Sequence, residues 1–424
     1  MPVRELTNWL SGTTDPRTFP YAVVLREFHR VGKHFVDPRL LELLDGARQR
    51  LAAPERTGSG ATPGLLDDFL DATLDKWDGR YDYRSYLALR LLRLPAGEDE
   101  PVATAGDDTT TRRDRDRLFV RLVADAVAFE VTAARGAADL FPLRRPAWAV
   151  VAKRCRLGTR AAAPALLRLG HPTWPDDTAP ADAAVALHTV AATLDPPSDL
   201  SLRLSMLPVH VTHDEYLFIR VLQAYECLFA ALVDELDATV TALADLRPTP
   251  AADRLAYARH LLDDAGPLFS LLATMQPDSF RTFRQYTEGA SAIQSRSYKR
   301  VESLCRTPLQ GRLDSVAYLS VPEVRARVRA GRATIDEAYR AAVRDGRLDG
   351  PDRRLVARRM EEFAAALLRW RRTHHRIATR MLGPRSGTGY TEGTPYLAAV
   401  RDMPVFTSVD RRPGPFEPVG GQRA

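Results

Sequence analysis

The stretch that most constrains this chain runs from Val356 to Tyr390. Val356, Met360, Phe363, Leu367, Trp370, His374, Ile377 and Met381 follow one another in steps of four and three, which puts all eight on one side of an α-helix. Arginines and glutamates fill most of the other side, so the apolar side is the one to bury. His374 is the polar member of that stripe. An imidazole turned into a core needs a hydrogen-bond partner or a metal. Taken alone, the periodicity favours the plain alternative, a core histidine with a partner, because buried polar groups are usually hydrogen-bonded. Gly383-Pro384 ends the helix, since proline cannot continue one. A glycine-bracketed loop follows at once, Ser386-Gly387-Thr388-Gly389-Tyr390. A histidine on a rigid helix beside a loop bearing a hydroxyl is a plausible layout for a site.

The rest of the chain repeats the helical signal. Residues 19–52 read as helix with a restart at Asp37-Pro38, and 65–77 as another. Residues 80–94 mix tyrosines and leucines. Leu118–Ala138 and Pro146–Leu167 return to helical spacing. Thr212-His213-Asp214-Glu215 has the form of a capping box, opening a helix to about Leu246. Leu255–Met275, a run from Pro277 to the break at Gly289, Tyr298–Leu304 and Pro322–Ala342 are further helices. No stretch alternates with strand period. The fold expected is all-α, a helical bundle. Four regions follow: 1–94 as an N-terminal helical region, 95–205 as an inserted segment with linkers, 206–400 as the core, and 401–424 as a loose tail rich in Pro and Gly.

Composition removes several classes of function. Net charge is +6, but acids interleave with arginines almost everywhere, so no basic stripe for nucleic acid emerges. No apolar run is long enough to span a membrane. The N-terminus lacks the apolar core of a signal peptide. Cys155, Cys227 and Cys305 are scattered without a CxxC pair, which fits a reducing cytoplasm. The nine histidines contain no HExxH, so zinc hydrolysis is not indicated.

Chemistry concentrates at a few positions. Phe218 and Leu222 lie four apart on the capped helix, offset from its main apolar stripe. Phe280 and Arg284 are also four apart, after Pro277. An arginine beside an aromatic on one face suits two-pronged capture of a carboxylate, the ordinary alternative being a surface ion pair. Ser291 sits in the turn after Glu288-Gly289, where it can cap a helix or touch a ligand.

Three segments, HDEYLFIRVLQAYECLF from His213, TMQPDSFRTFRQYTEGASAIQS from Thr274 and WRRTHHRIATRMLGPRSGTG from Trp370, occur in this order. Together they resemble the tryptophan 2,3-dioxygenases, whose pattern reads roughly HDEHLFIxTHQAYELWF, TMTxxDFxxFRxYLSPASGFQS and WRxxHxxMVxRMLGxxxGTGGSSG. A weaker fourth match, Tyr83-Arg84-Ser85-Tyr86-Leu87, is similar to the family's YGxYL. The resemblance implies a heme enzyme, with heme b held through His374 as the axial ligand of the iron. It implies that Arg284 grips the carboxylate of an aromatic amino acid and that Thr388 touches its ammonium group, which makes these two the catalytic residues. It implies further that Phe218 and Phe280 pack on the indole ring, that Ser291 lies in the pocket, and that Tyr83 and Tyr86 reach a neighbouring subunit's pocket in a homo-oligomer. The partners implied are a tryptophan-like amino acid and dioxygen, with no nucleic acid and no membrane. The reaction implied is oxidative opening of the indole ring to N-formylkynurenine, a reaction of tryptophan catabolism.

The chain also departs from the pattern. Leu222 stands where the family has a histidine able to bond the indole N–H. Tyr390 and Glu392 replace small residues of the GTGGSSG loop, and Ala292-Ile293 replaces Gly-Phe after Ser291. These changes keep two alternatives open: a heme-dependent monooxygenase or hydroxylase of a modified tryptophan or a tyrosine, and a heme-binding protein without catalysis.

Overall fold

The computed structural model describes residues 2–12, 14–52, 64–95, 108–175, 177–383 and 394–409. Among them the chain is all-α, with helices joined by turns and one isolated bridge between Leu143 and Thr212. The axis is the helix His213–Ala244. It is long and apolar enough to cross a membrane, yet most of it is buried inside the protein. Around it pack Asp108–Ala134, Pro248–Asp264 and Arg296–Cys305, and the long helix Gly350–Leu382 packs on Pro248–Asp264 and meets the axial helix through Trp370 against Tyr225 and Phe229.

The apolar interior falls into two large clusters. One gathers residues of the first ninety, among them Leu6, Phe28, Leu44 and Phe69, and closes on Leu204 and Leu207. The other contains the axial helix, the inserted helices and the long helix. The two are joined where the turn at 32–35 meets the entry to the axial helix. Lys33 N–H donates to Pro208 O at 2.8 Å, and the buried Lys33 ammonium pairs with Asp75 at 2.8 Å. Gly32 has φ of +85°, and a Cβ there would stand 2.6 Å from Val209 O, so only glycine fits.

The insertion is stitched to the axial helix by buried charge. Arg154, fully buried, donates to Glu130 at 2.7 Å and to Asp214 at 2.6 Å. Arg220 donates to Asp125 at 2.6 Å and to Leu202 O at 2.9 Å. Charges taken from water need such paired, bonded geometry. Gly158 lets the helix Trp148–Arg168 approach Asp108–Ala134, since its Cβ would meet Val127 at 2.4 Å.

Several boundaries differ from the sequence expectation. The capping box does not form. Thr212 is the N-cap residue, but its hydroxyl bonds His210 Nδ1 at 2.6 Å, and Glu215 turns upstream to accept the Val209 and His210 N–H groups. The helix expected from Leu118 to Ala138 runs instead from Asp108 to Ala134. Leu255–Met275 divides into Pro248–Asp264 and Gly266–Leu272, broken before the Gly266-Pro267 pair. Pro322–Ala342 divides at Gly331, whose φ is +72°. Residues 402–409 are docked rather than loose: Val405 and Phe406 are buried, and Asp336 accepts the Thr407 and Ser408 N–H groups. The first helix, Pro2–Ser11, and the helix Pro180–Leu194 were not singled out by periodicity.

Candidate functional site

The stripe on Gly350–Leu382 is buried as its spacing requires: Val356, Met360, Phe363 and Leu367 are fully inside. Toward the C-terminal end it opens onto a cavity of about 240 Å³ between this helix, the axial helix, Pro277–Arg284 and Arg296–Cys305. Trp370, His374 and Ile377 line it. Gly383, with φ of +63°, ends the helix.

The His374 imidazole stacks near Phe269, ring centroids 6.2 Å apart, and against Trp370 at 5.2 Å. No described residue hydrogen-bonds it, so it is not the partnered core histidine that periodicity alone favours. Burial pushes it down to about 4, helped by the Lys299 and His375 charges. At neutral pH it is therefore uncharged, the form that ligates a metal.

The same cavity collects the other expected residues. Phe218 and Leu222 face it from the axial helix, and Phe280 and Arg284 from Pro277–Arg284. Phe218 and Phe280 meet edge to face at 5.6 Å, with Phe283 behind both. Ser291 lines the wall at the N-cap of a short turn. Gln294 Oε1 accepts from Ser291 N–H at 3.2 Å and from Tyr83 N–H at 3.0 Å, binding the serine loop to the tyrosine segment. Tyr83 and Tyr86, expected in a neighbour's pocket, line this chain's own cavity at 3 % and 2 % exposure. Tyr86 OH donates to Glu215 at 3.2 Å. Thr388 and the loop from Ser386 to Gly393 lie outside the described residues.

The sequence reading missed the cations of this cavity. Lys299, 2 % exposed, lines it with no carboxylate in ion-pair contact and no hydrogen bond among the described residues. Burial pushes its ammonium down to about 7, with Glu302 opposing and Arg312 and Arg371 reinforcing. Arg312 is bidentate to Glu302, and Arg371 donates to Tyr298 OH at 2.9 Å. Trp370 Nε1 and the Tyr225 hydroxyl are buried side by side in the same wall, the two rings meeting edge to face at 5.9 Å. Nothing in the spacing of Arg296–Cys305 distinguishes Lys299 from an ordinary solvated lysine.

An apolar slot with a neutral, unpartnered imidazole on one wall and an unneutralised ammonium on another fits a flat, iron-bearing group that carries carboxylates. Heme would suit this donor set: His374 would supply a nitrogen to the iron, Phe269, Tyr298 and Trp370 would offer aromatic faces, and Lys299 with its guanidinium neighbours would meet the porphyrin carboxylates. Among the described residues no cluster of His, Cys, Asp and Glu offers a competing site for a bare metal ion.

Similarity to known proteins falls within one family. The tryptophan 2,3-dioxygenase family profile matches residues 200–314. A tryptophan 2,3-dioxygenase of Bordetella pertussis is 26% identical over 236 residues, covering 48% of this chain and 83% of that protein. Those of Bradyrhizobium diazoefficiens and Burkholderia mallei are each 26% identical, over 239 and 229 residues, covering 85% and 74% of their lengths. About half of this chain lies outside each alignment.

Proposed function

This chain belongs to the tryptophan 2,3-dioxygenase family, and from that premise we propose that it is a heme-dependent oxygenase of tryptophan or an indole amino-acid derivative. One observation carries the reading. His374, Arg284, Phe218, Leu222, Phe280 and Ser291, drawn from three separate sequence segments, line one cavity. Bound heme supplies the dioxygen chemistry, inserting oxygen across the indole C2–C3 bond in the dioxygenase reading.

The protein's own contribution is placement. His374 would hold the iron of the bound heme. Arg284 receives the substrate carboxylate in a planar, two-pronged contact, and Thr388 is assigned the ammonium group. Phe218 and Phe280 bracket the ring, and the apolar wall keeps water away from it. Holding both reactants in one orientation is positioning catalysis. Three buried free cysteines suit a reducing cytoplasm. A homo-oligomer rests on family resemblance alone, because the two tyrosines that implied it close this chain's own cavity.

Leu222 favours a second reading. It lines the ring end of the cavity and cannot accept from an indole N–H. A substrate without that N–H, or one hydroxylated once instead of opened, fits such a wall equally well. A heme carrier without catalysis fits less well, since it has no use for a guanidinium in the ring pocket.

Two experiments decide. His374→Ala should purify with little heme and no Soret band, while His375→Ala keeps both. Ferrous protein, mixed anaerobically with tryptophan and then given oxygen, should yield a product heavier by two oxygens. A gain of one oxygen selects hydroxylation, and full heme loading without turnover removes the enzyme reading.

A further inference from the structure

The outer side of the long helix carries a charge pattern that the cavity does not use. From Phe363 to Leu382 the helix contains five arginines and no aspartate or glutamate. Arg371 points inward and is buried; Arg369, Arg372, Arg376 and Arg380 are exposed. Arg372, Arg376 and Arg380 fall at successive four-residue steps, one line along the helix. Like charges so spaced repel one another and destabilise the helix. The helix dipole accounts for a cation in the last turn, Arg380, and not for those further back.

Neighbouring acids answer only part of this charge. Asp263 pairs with Arg369 at 2.8 Å, and Asp402 is shared between Arg372 at 2.9 Å and Arg401 at 2.7 Å. Arg376 and Arg380 have no carboxylate partner among the described residues; Arg376 donates only to Thr373 Oγ1, at 3.2 Å. Arg369, Arg372, Thr373, His375, Arg376, Arg401 and Asp402 border an open groove of about 530 Å³. His375 in that groove is the residue next to His374. The groove therefore lies on the solvent side of the helix turn whose other side presents the proposed iron ligand.

We propose that this basic groove docks an acidic one-electron carrier protein, of the iron–sulfur class, which reduces the heme iron. The inference rests on the heme reading above. Ferric iron does not bind dioxygen, so one electron must arrive before turnover. The carrier gives up that electron, the iron goes from ferric to ferrous, and no bond is made or broken. The helix turn carrying His374 and His375 offers a short route from the groove to the iron, and the arginine line supplies the complementary charge that steers an acidic partner.

The test uses the heme-loaded, full-length protein, a reduced acidic [2Fe–2S] ferredoxin, and carbon monoxide to report ferrous iron at the Soret band. The second-order reduction rate should fall about tenfold or more in Arg376→Glu/Arg380→Glu, and likewise when ionic strength rises from ~0.02 to ~0.2 M. Heme content, and reduction by a small neutral photoreductant, should stay at the wild-type level. Arg344→Glu/Arg347→Glu, elsewhere on the surface, should leave the ferredoxin rate unchanged. Calorimetric binding of oxidised ferredoxin to the heme-free protein, lost in Arg376→Glu/Arg380→Glu, gives a readout independent of iron. Rates and binding indifferent to the variant and to salt overturn the proposal. Equal loss with the photoreductant also overturns it, since that marks a damaged heme site. A protein that takes up no heme yet binds ferredoxin through these arginines sinks the oxygenase reading and limits the groove to carrier docking. Binding of tRNA or anionic vesicles at the groove in preference to ferredoxin replaces the carrier by another partner.

Discussion

Lys299 gives the sharpest stability test of the cavity. Its ammonium is buried, and burial has pushed it from 10.5 down to about 7. At about 1.4 kcal/mol per pH unit of displacement, keeping that charge costs the heme-free protein up to roughly 5 kcal/mol. Relaxation and water entering the cavity reduce this to about 2–3 kcal/mol. Lys299→Met keeps the aliphatic length and removes the charge, so the heme-free variant should be more stable than wild type by that amount at about pH 6. The sign with pH follows from proton counting. Between about 7 and 10.5 the unfolded chain holds the lysine proton and the native chain does not, so wild-type stability gains as pH rises. The variant's advantage is therefore full below about pH 7 and should shrink toward zero by about pH 10. Urea unfolding of both heme-free proteins across that range measures the gap directly. Hemin binding should move the opposite way, weaker by about tenfold in the variant, because a porphyrin carboxylate loses its partner. A variant less stable than wild type at low pH, or a gap that ignores pH, refutes the assignment of Lys299 as an unneutralised cation.

Arg284→Leu should weaken tryptophan binding by about 2–5 kcal/mol, seen by Soret titration of the heme-loaded protein, with heme content unchanged. Leu222→His should favour tryptophan over its N1-methyl derivative by about 1–2 kcal/mol in the same titration, since a polar acceptor then faces the ring nitrogen. Arg154→Met leaves Glu130 and Asp214 buried without their cation and should cost about 3–5 kcal/mol in urea unfolding at neutral pH. Gly158→Val drives a side chain into Val127 and should cost at least ~1–3 kcal/mol, while the Soret position of protein that does fold stays put.

What the sequence revealed of this molecule depended on whether a residue's role repeats along the helix. The stripe from Val356 to Met381 was readable because burial imposes a period, and Gly383 because a helix end has its own chemistry. Boundaries failed where local and tertiary bonds competed. Glu215 has the spacing for a capping box, but the N–H groups of Val209 and His210, with the Tyr86 hydroxyl, claim its carboxylate. Lys299 was invisible for the converse reason. Its burial is set by helices distant in sequence, and a lysine on a short amphipathic helix looks alike whether it faces solvent or a cavity. Tyr83 and Tyr86 show a third case. Their motif was legible, but which chain's pocket they close depends on the fold around them. Gln294 and Glu215 fix them to this chain's own wall, and the inserted helices are held to the axial helix by the buried Arg154 and Arg220 contacts. Spacing alone thus told which faces are buried, the family resemblance suggested the chemistry, and the direction of each side chain awaited the packing of segments that no local pattern connects.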